Sequence, residues 1–333
     1  MPRKPAVRPV RWTPPPPAPH REALATLAVR RLPVGGIGPE DVLLDDVGGV
    51  FAGVEDGRIL RVDLTSGEVA TVADTGGRPL GLEWLPDGRI LVCDAQRGLL
   101  AVEVTDDRDG RIETLVQQVD DAPMRLCNNA AVAPEGTIYF SDSSQRFGIE
   151  HHRADMLEHS GTGRLLRRAP DGEVDVLLDG LQFPNGVALD PSGEWLAVAE
   201  TAGYRLLRLW LRGARAGQHE VLVDGLPGFP DNISTGSDGL IWVAIFAPRH
   251  RLLDLLLPRA PLLRRLVWAL PEVLQPAEAR ALHVMAVDAA GTVVHDLRGP
   301  TTDYHAVTGV RERGGVLYLG SLTQQAIAVL DVP

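Results

Sequence analysis

The pattern of apolar and polar positions along the 333-residue chain repeats a strand–turn–strand unit. The stretch "LQFPNGVALDPSGEWLAVAE" (181–200) has a small and apolar strand, a turn with glycine, and a strand rich in aromatic and β-branched residues. Five other segments have the same form, and they are residues 40–57, 80–98, 128–144, 231–246 and 306–322. The chain therefore contains six related units.

Each unit continues into a third apolar segment and usually a fourth, such as "YRLLRLWL" and "HEVLVDGL" after residues 185–200. Four antiparallel strands per unit, repeated six times, predict an all-β fold, the six-bladed β-propeller. The sixth unit ends after its third strand, and we expect the N-terminal segment 27–34 to supply the fourth and close the ring. On this interpretation residues 1–22 form a proline-rich tail and residues 23–333 form one propeller domain.

Two insertions interrupt the repeat between second and third strands, at residues 145–162 in unit three and 247–282 in unit five. Within 251–274, apolar residues fall at helical spacing and prolines divide the segment, which predicts a short helical insertion in blade five. It is either a cap packed on the propeller or a surface that contacts a partner or a membrane. Three histidines of the first insertion have acidic residues around them and predict a solvated loop: His151, His152 and His159.

The composition of the chain argues against several classes of function. The net charge of −11 argues against a nucleic-acid partner, which needs a basic face. Lys4 is the only lysine, so the folded body has no lysine for a Schiff base or a P-loop. The sequence has neither a transmembrane segment nor the apolar core of a secretory signal. Because Cys93 and Cys127 form no metal motif, we expect buried thiols and a cytoplasmic protein.

One position of the repeat carries candidate chemistry. Eight residues before the glycine of the first turn, the six units have Glu40, Leu80, Asn128, Asn185, Asp231 and Ala306. Equivalent positions of a propeller lie at one height around the central channel, so four oxygen-bearing side chains are expected to converge there. An isolated Asn or Asp at a strand start can instead serve only to make a turn. Two carboxylates and two amides are a hard oxygen set that suits one Ca²⁺ ion, although other divalent metals also bind oxygen.

A divalent ion on the axis can polarise a carbonyl, stabilise an oxyanion and orient water. Asp231, in the run "GFPDN", is the candidate catalytic base, with the alternative that it is only a metal ligand. Five further residues near the strand entrances are candidates for substrate binding, and they are Asn232, Arg78, Arg125, Tyr304 and His305. The arginines also fit surface or inter-blade ion pairs, and the histidine also fits a structural role.

The segments "NNAAVAPEGTIYFSDSS", "GLQFPNGVALDPSGEWLAVAET" and "LPGFPDNISTGSDGLIWVA" resemble the strictosidine synthase-like proteins. These are similar to gluconolactonases (senescence marker protein type) and paraoxonases, in one superfamily of six-bladed propellers. The resemblance runs from Trp12 to Val332 and implies that Glu40, Asn185 and Asp231 are core metal ligands, with Asn128 at the metal or the substrate. In gluconolactonases the residue that matches Asp231 is also credited with acid–base work.

The resemblance departs from the alkaloid enzymes at one position. Strictosidine synthases that condense an amine with an aldehyde use a glutamate just before the last inner strand, where this sequence has Thr308. The leading hypothesis is therefore a calcium-dependent hydrolase whose small-molecule substrate is a lactone or an ester. The alternatives are a strictosidine synthase-like C–N condensing lyase and a non-catalytic propeller that binds a small molecule or protein and holds a structural metal.

Overall fold

The computed structural model describes residues 4–18, 27–104, 110–271, 274–275, 279–299 and 304–333. Strands dominate this part of the chain, and we number them in chain order. They are β1 (Arg30–Pro33), β2 (Val42–Leu44), β3 (Gly49–Gly53), β4 (Arg58–Asp63), β5 (Val69–Asp74), β6 (Pro79–Trp84), β7 (Ile90–Asp94), β8 (Gly98–Val102), β9 (Ile112–Val116), β10 (Gln118–Val119), β11 (Ala122–Pro123), β12 (Cys127–Val132), β13 (Ile138–Asp142), β14 (Gly163–Arg168), β15 (Val174–Leu181), β16 (Pro184–Leu189), β17 (Trp195–Glu200), β18 (Arg205–Trp210), β19 (His219–Val223), β20 (Gly228–Thr235), β21 (Ile241–Pro248), β22 (Leu282–Val287), β23 (Val293–Gly299), β24 (Val307–Arg313), β25 (Val316–Ser321) and β26 (Ala326–Asp331).

Six four-stranded antiparallel sheets form the six blades of a propeller. The sheets are β2–β5, β6–β9, β12–β15, β16–β19, β20–β23, and β24–β26 with β1, while β10 and β11 form a small separate hairpin. The innermost strand of each blade contacts the innermost strands of its two neighbours, and β24 contacts β2 to complete the circle. The predicted six-bladed fold is confirmed.

The ring is closed by the N-terminal strand, as the sequence predicts. β1 pairs antiparallel with β26, with Leu32 opposite Ile327. Both side chains are buried in one cluster with strands of the first blade, so closure joins the two ends of the chain through backbone and core. The predicted boundary between tail and domain, at residues 22 and 23, lies outside the described residues.

The core lies between the blades. Six hydrophobic clusters each combine side chains of two neighbouring blades, as where Leu91 of the second blade meets Phe140 of the third. The middle strands are consequently covered on both faces, and all six residues of β17 are buried. Burial on both faces explains why these segments are almost continuously apolar in the sequence.

Both insertions contain helices. The blade-five insertion forms α2 (Arg251–Leu256) and α3 (Pro261–Ala269), which confirms the predicted helical insertion, while the blade-three insertion forms a 3₁₀ turn (Ile149–His151) and α1 (His152–Glu158). A second 3₁₀ turn is Gly213–Arg215. Among the described residues, no helix combines the length and the apolar content needed to cross a membrane.

The expectation of a solvated loop in the first insertion is wrong for His159. Its side chain is buried, and its ring lies 4.1 Å from the ring of Trp12, centroid to centroid. The residue ends α1 in the left-handed conformation, with φ of 56°. Two of its acidic neighbours are also buried: Asp155 accepts a hydrogen bond from Ser144 Oγ at 2.6 Å, and Glu158 accepts one from Arg8 N at 2.6 Å.

The described part of the N-terminal tail, residues 4–18, lies across the helices, and we call it the strap. Val10 N donates to Glu158 O at 2.8 Å, and Trp12 N donates to Leu257 O at 3.2 Å. The buried guanidinium of Arg264 donates to Leu157 O at 2.8 Å and to Val10 O at 2.6 Å. The Arg264 guanidinium thereby joins α1, α3 and the strap, since carbonyls at helix ends lack partners within the helix and readily accept hydrogen bonds.

Candidate functional site

The entrance of each innermost strand is built around a bulge or an equivalent break in pairing. In β16, Pro184 pairs with Glu200 and Val187 pairs with Val198, so two residues face one residue of β17. The same register shift occurs in β6, β12, β20 and β24. Directly before β2, Glu40 N donates to Gly53 O at 3.2 Å, and Glu40 and Asp41 take the corresponding place. Six two-residue steps therefore surround the axis.

The first residue of each step lines one central cavity. These residues are Glu40, Leu80, Asn128, Asn185, Asp231 and Thr308. The structure thus brings together the four oxygen-bearing side chains that the repeat spacing singles out. In the sixth unit the equivalent residue is Thr308, so the assignment of Ala306 is wrong. The physical reason is a tighter hairpin: Arg313 pairs with Val316 around Gly314 and Gly315, and counting eight residues back goes too far.

The second residues alternate between a polar side chain and glycine around the ring. In chain order they are Asp41, Gly81, Asn129, Gly186, Asn232 and Gly309. Each glycine makes room for a neighbouring blade: a Cβ on Gly186 would lie 2.2 Å from Ile233 N, and one on Gly81 would lie 2.8 Å from Asn129 Nδ2. The polar side chains occupy this space and form a layer next to the cavity-lining residues.

Three cavity-lining oxygens are buried and have no hydrogen-bond partner among the described residues. They are Asn128 Oδ1, Asn185 Oδ1 and Asp231 Oδ1. Asn128 Nδ2 donates to Ser143 Oγ at 2.8 Å, which orients the amide and leaves its oxygen free. A buried acceptor without a partner costs about 1–3 kcal/mol. Three such acceptors on one cavity form a set of oxygens that could hold a cation.

The two carboxylates of the set are held in an unfavourable environment without a cation. Burial raises the pKa of Asp231 to about 8, although the Asn185 side chain and the Asn232 backbone amide oppose the increase. Burial also raises the pKa of Glu40 well above its usual range, and repulsion by Asp231 and Asp41 adds to it. A divalent cation would reverse both effects by favouring the ionised forms.

The donor chemistry fits a hard cation. The set has two carboxylates and two amides, and it offers neither imidazole nor thiolate, so calcium suits it better than zinc. Within the described ranges, no three His, Cys, Asp or Glu side chains are gathered as a metal cluster. Half of the side chains in the set are therefore amides, those of Asn128 and Asn185.

Two of the predicted substrate-binding residues support Glu40 and do not line the cavity. Asn232 Nδ2 donates to Glu40 Oε1 at 3.2 Å and to Oε2 at 3.1 Å. Arg78 is buried and donates from Nη2 to Gly38 O at 3.0 Å. Its positive charge also lowers the pKa of Glu40 and offsets part of the effect of burial. Asn232 therefore holds the Glu40 carboxylate in place, and Arg78 compensates part of its negative charge.

The other three predicted substrate-binding residues lie elsewhere. Tyr304 is buried in the core between the fifth and sixth blades, where its hydroxyl donates to Leu319 O at 2.8 Å. His305 Nε2 lies 3.1 Å from Gln324 Nε2, and Arg125 is exposed outside the cavity. The prediction is wrong for Tyr304, because proximity to a strand entrance in sequence does not fix the direction of a side chain. Arg125 and His305 are not among the cavity-lining residues, and their role in substrate binding stays a prediction.

The walls and roof of the cavity come from residues outside the six two-residue steps. Phe183, Phe229 and Phe246 lie at the wall, and both insertions supply the roof. The cavity holds about 170 Å³, which leaves room for a small molecule beside an ion. Phe183 and Phe229 stand at the same repeat position, two residues before Asn185 and Asp231, whereas the roof residues belong to insertions that the repeat lacks.

Two roof histidines have tautomers that the backbone sets. His152 Nδ1 lies 2.8 Å from Ile149 O and donates to it, so its Nε2 is an acceptor. His250 Nδ1 accepts from Leu253 N at 3.4 Å as the N-cap of α2, so its Nε2 carries the hydrogen. Both residues line the cavity and offer it one acceptor and one donor.

The distribution of asparagine was a sequence signal for the site. The whole chain contains four asparagines, and all four occupy the two-residue steps: Asn128, Asn129, Asn185 and Asn232. Many turns of this chain use Asp or Gly where Asn would also serve. An amide found only at the strand entrances is therefore there for its oxygen and nitrogen atoms, and turn formation alone does not explain it.

Comparison with known proteins agrees with the fold. Residues 48–253 match the family described as SMP-30/Gluconolactonase/LRE-like region, and residues 22–62 match the strictosidine synthase-like N-terminal region. Adipocyte plasma membrane-associated protein of Bos taurus is 34% identical over 310 residues, which cover 86% of this chain and 74% of the relative. Strictosidine synthase-like protein 6 of Arabidopsis thaliana is 33% identical over 308 residues, covering 88% and 79%.

A solved structure shares the fold at lower sequence identity. The crystal structure of a calcium-binding protein, regucalcin, from Agrobacterium tumefaciens has a TM-score of 0.65 and 19% identity, and the likeness covers 92% of this chain and 95% of that chain. Fold, site geometry and sequence similarity lead to the same assignment. The chain belongs to the SMP-30/gluconolactonase family, among its strictosidine synthase-like members.

Proposed function

We propose that this protein is a calcium-dependent hydrolase of a lactone or an ester. The observation that carries the proposal is the group of unpartnered buried oxygens on Asn128, Asn185 and Asp231, next to the second buried carboxylate, Glu40. Membership of a family named for gluconolactonase supports a hydrolase, and a protein of the same fold is described as calcium-binding.

Glu40, Asn128, Asn185 and Asp231 would hold the ion. When bound, calcium would polarise the substrate carbonyl and stabilise the oxyanion that forms during attack by water. Leu80 lines the same ring and has no donor atom, so this side of the ring remains for water and substrate.

Asp231 is proposed as the general base. Beside its place in the ligand set, the Asp231 carboxylate would accept a proton from the attacking water and later return it to the leaving oxygen. The Asn185 side chain and the Asn232 N–H hold the carboxylate in place. The roof residues of both insertions would limit the access of bulk water, which strengthens electrostatic interactions inside.

The walls favour an apolar substrate. Phe183, Phe229 and Phe246, with Leu253 and Leu256 from the roof, surround the polar ring with apolar surface. Such surface binds alkyl or aryl substituents and gives few partners to the hydroxyl groups of a sugar lactone. We therefore propose a lactone or ester with an apolar substituent.

The decisive experiment is a hydrolysis screen of alkyl lactones, sugar lactones and aryl esters, in calcium and in EDTA. Asp231→Asn keeps an oxygen ligand and removes the base, so kcat should fall about a hundredfold or more while calcium still binds. The matched control is Asp171→Asn, at an exposed carboxylate in a turn. Full activity in Asp231→Asn would show that another group is the base. Calcium binding without hydrolysis of any substrate would favour the non-catalytic binding module.

The condensing-lyase alternative finds no support at the sixth blade. Thr308 stands where strictosidine synthases carry a glutamate, and its hydroxyl donates to Glu40 O at 2.6 Å. A hydroxyl used in this way cannot take the proton that amine condensation releases. The hydrolase therefore explains the residues of this ring better than the lyase.

For location we propose the cytoplasm. Cys93 and Cys127 are free and buried, as a reducing compartment allows. Both thiols belong to one inter-blade hydrophobic cluster, where they pack as small apolar side chains. Equal thermal stability of the purified protein with and without a thiol reductant would support this proposal, and a disulfide in protein isolated from cells would contradict it.

A further inference from the structure

The helices of blade five expose a group of leucines to solvent. Five of them are between 38% and 71% exposed and do not line the cavity, and we call them the leucine face: Leu255, Leu262, Leu263, Leu266 and Leu270. They come from α2 and α3, which contact each other. Single exposed leucines are ordinary on a protein surface, whereas a group on two adjoining helices indicates an interaction surface.

The fold does not need the leucine face, because the opposite side of the same helices makes the internal contacts. Leu253 and Leu256 of α2 and Val267 of α3 line the cavity. Arg264 and Trp268 of α3 are buried against the strap, with Trp268 Nε1 donating to Pro5 O at 2.7 Å. The helices are therefore apolar on two sides, and one of these sides has no counterpart within the described residues.

The segment 249–271, which contains both helices, carries a net positive charge, although the chain as a whole carries −11. Arg251, Arg259 and Arg265 are exposed on or beside the two helices. The single acidic residue between positions 249 and 271 is Asp254, which is half-buried and accepts a hydrogen bond from the Tyr204 hydroxyl at 3.0 Å. An apolar face bordered by arginines complements a surface that is apolar inside and anionic outside.

We infer that the leucine face docks on the surface of an anionic lipid bilayer, with its leucines in the acyl boundary and its arginines at the headgroups. A second copy of the chain is a poorer occupant. Two-fold pairing would bring the arginines of one copy towards those of the other, and like charges would oppose it. Because the inner side of the same helices roofs the cavity, docking brings the cavity next to the bilayer.

Flotation with lipid vesicles tests this inference without reference to catalysis. The full-length protein is mixed with vesicles of phosphatidylcholine alone, or with vesicles in which phosphatidylglycerol replaces part of it. We expect the protein to float with the anionic vesicles and to remain behind with the neutral ones. High salt should weaken binding, since the arginine contribution is screened.

Matched variants separate the apolar from the charged contribution. The triple change Leu262→Ser, Leu263→Ser and Leu266→Ser should reduce vesicle binding at least tenfold. As control, three valines exposed on the propeller should leave binding unchanged when replaced by serine: Val47, Val221 and Val294. Arg259→Gln with Arg265→Gln should weaken binding to anionic vesicles by about fivefold per arginine.

Two results would overturn the inference. One is failure of the wild-type protein to bind anionic vesicles at low salt. The other is a concentration-dependent dimer in light scattering that the triple leucine change abolishes, which would assign the face to a second copy. Because all these leucines are exposed, circular dichroism and melting of the triple variant should match the wild type and show that a loss of binding is not a loss of folding.

Discussion

Asn232 donates from Nδ2 to both carboxylate oxygens of Glu40, at 3.2 and 3.1 Å, across 192 positions of sequence. Asn232 belongs to the fifth blade, and Glu40 stands at the entrance of the first. The contact therefore joins two blades that have the sixth blade between them. It can do so because the sixth blade has Gly309 at this level, where a Cβ would lie 2.8 Å from Glu40 O. The alternation of polar residues and glycines therefore fixes a ligand of the proposed ion.

The first prediction concerns stability in calcium. Saturation at about a hundred times the dissociation constant should add roughly 2.7 kcal/mol to the free energy of unfolding. Asn185→Ala removes one unpartnered oxygen and should lose most of this gain. Thermal melting in EDTA, Ca²⁺ and Mg²⁺ measures the effect, with Asp171→Asn as the control. An equal shift in Asn185→Ala and the wild type would remove Asn185 from the ligand set.

The second prediction follows from the close packing at the axis. A Cβ at Gly186 would lie 2.2 Å from the backbone nitrogen of Ile233, which cannot move without disturbing β20. Gly186→Ala should lower the free energy of unfolding by about 3 kcal/mol or more. Gly299→Ala is the control, since its nearest contact would be an ordinary 3.4 Å to the Leu282 side chain. Chemical denaturation measures the free energy of unfolding of both variants. A similar decrease in the two variants would contradict the packing argument.

Acid should weaken the contact between strap and α1 through His159. Burial lowers the pKa of this histidine to about 3, and nearby Arg264 and Arg205 add to the effect, whereas its ordinary value is 6.5. The unfolded chain thus takes up the proton first. The contribution of neutral His159 is complete above pH 6.5 and is lost as the pH falls towards 3.

His159→Asn tests this dependence, because Asn tolerates the left-handed backbone and does not titrate. The difference in unfolding free energy between wild type and variant should shrink as the pH falls from 6.5 towards 3. The exposed His219→Asn serves as control. Parallel pH profiles of wild type and His159→Asn would contradict the assignment.

The strap should depend on Arg264. Replacement by Met removes its donors to Leu157 O and Val10 O, and hydrogen bonds from a charged group contribute roughly 1.5–3 kcal/mol each. The fraction of molecules with an open strap should rise by about tenfold or more. Faster thermolysin cleavage within residues 4–18 measures this rise. Arg265→Met, at the exposed neighbour, should cleave like the wild type. Equal cleavage of both variants would show that other contacts hold the strap.

The sequence by itself determined the six blades, the closing strand and the four oxygen-bearing entrance residues. These features repeat, and each follows from local rules: alternation along strands, glycine in hairpin turns, and a constant distance from turn to strand entrance. The one misassigned entrance, Ala306 in place of Thr308, lies where the hairpin is shorter than in the other units.

The tertiary structure alone decided what surrounds the ring. The burial of His159 against Trp12, the inward position of Tyr304 and the cavity wall at Phe229 depend on contacts between segments far apart in sequence. A repeat position does not indicate where such a side chain points, even for Phe229, whose counterpart two residues before the entrance of the fourth blade is Phe183. Local pattern specifies a repeated backbone, whereas the insertions and the strap acquire their partners only when the ring closes and brings them to the same end of the axis.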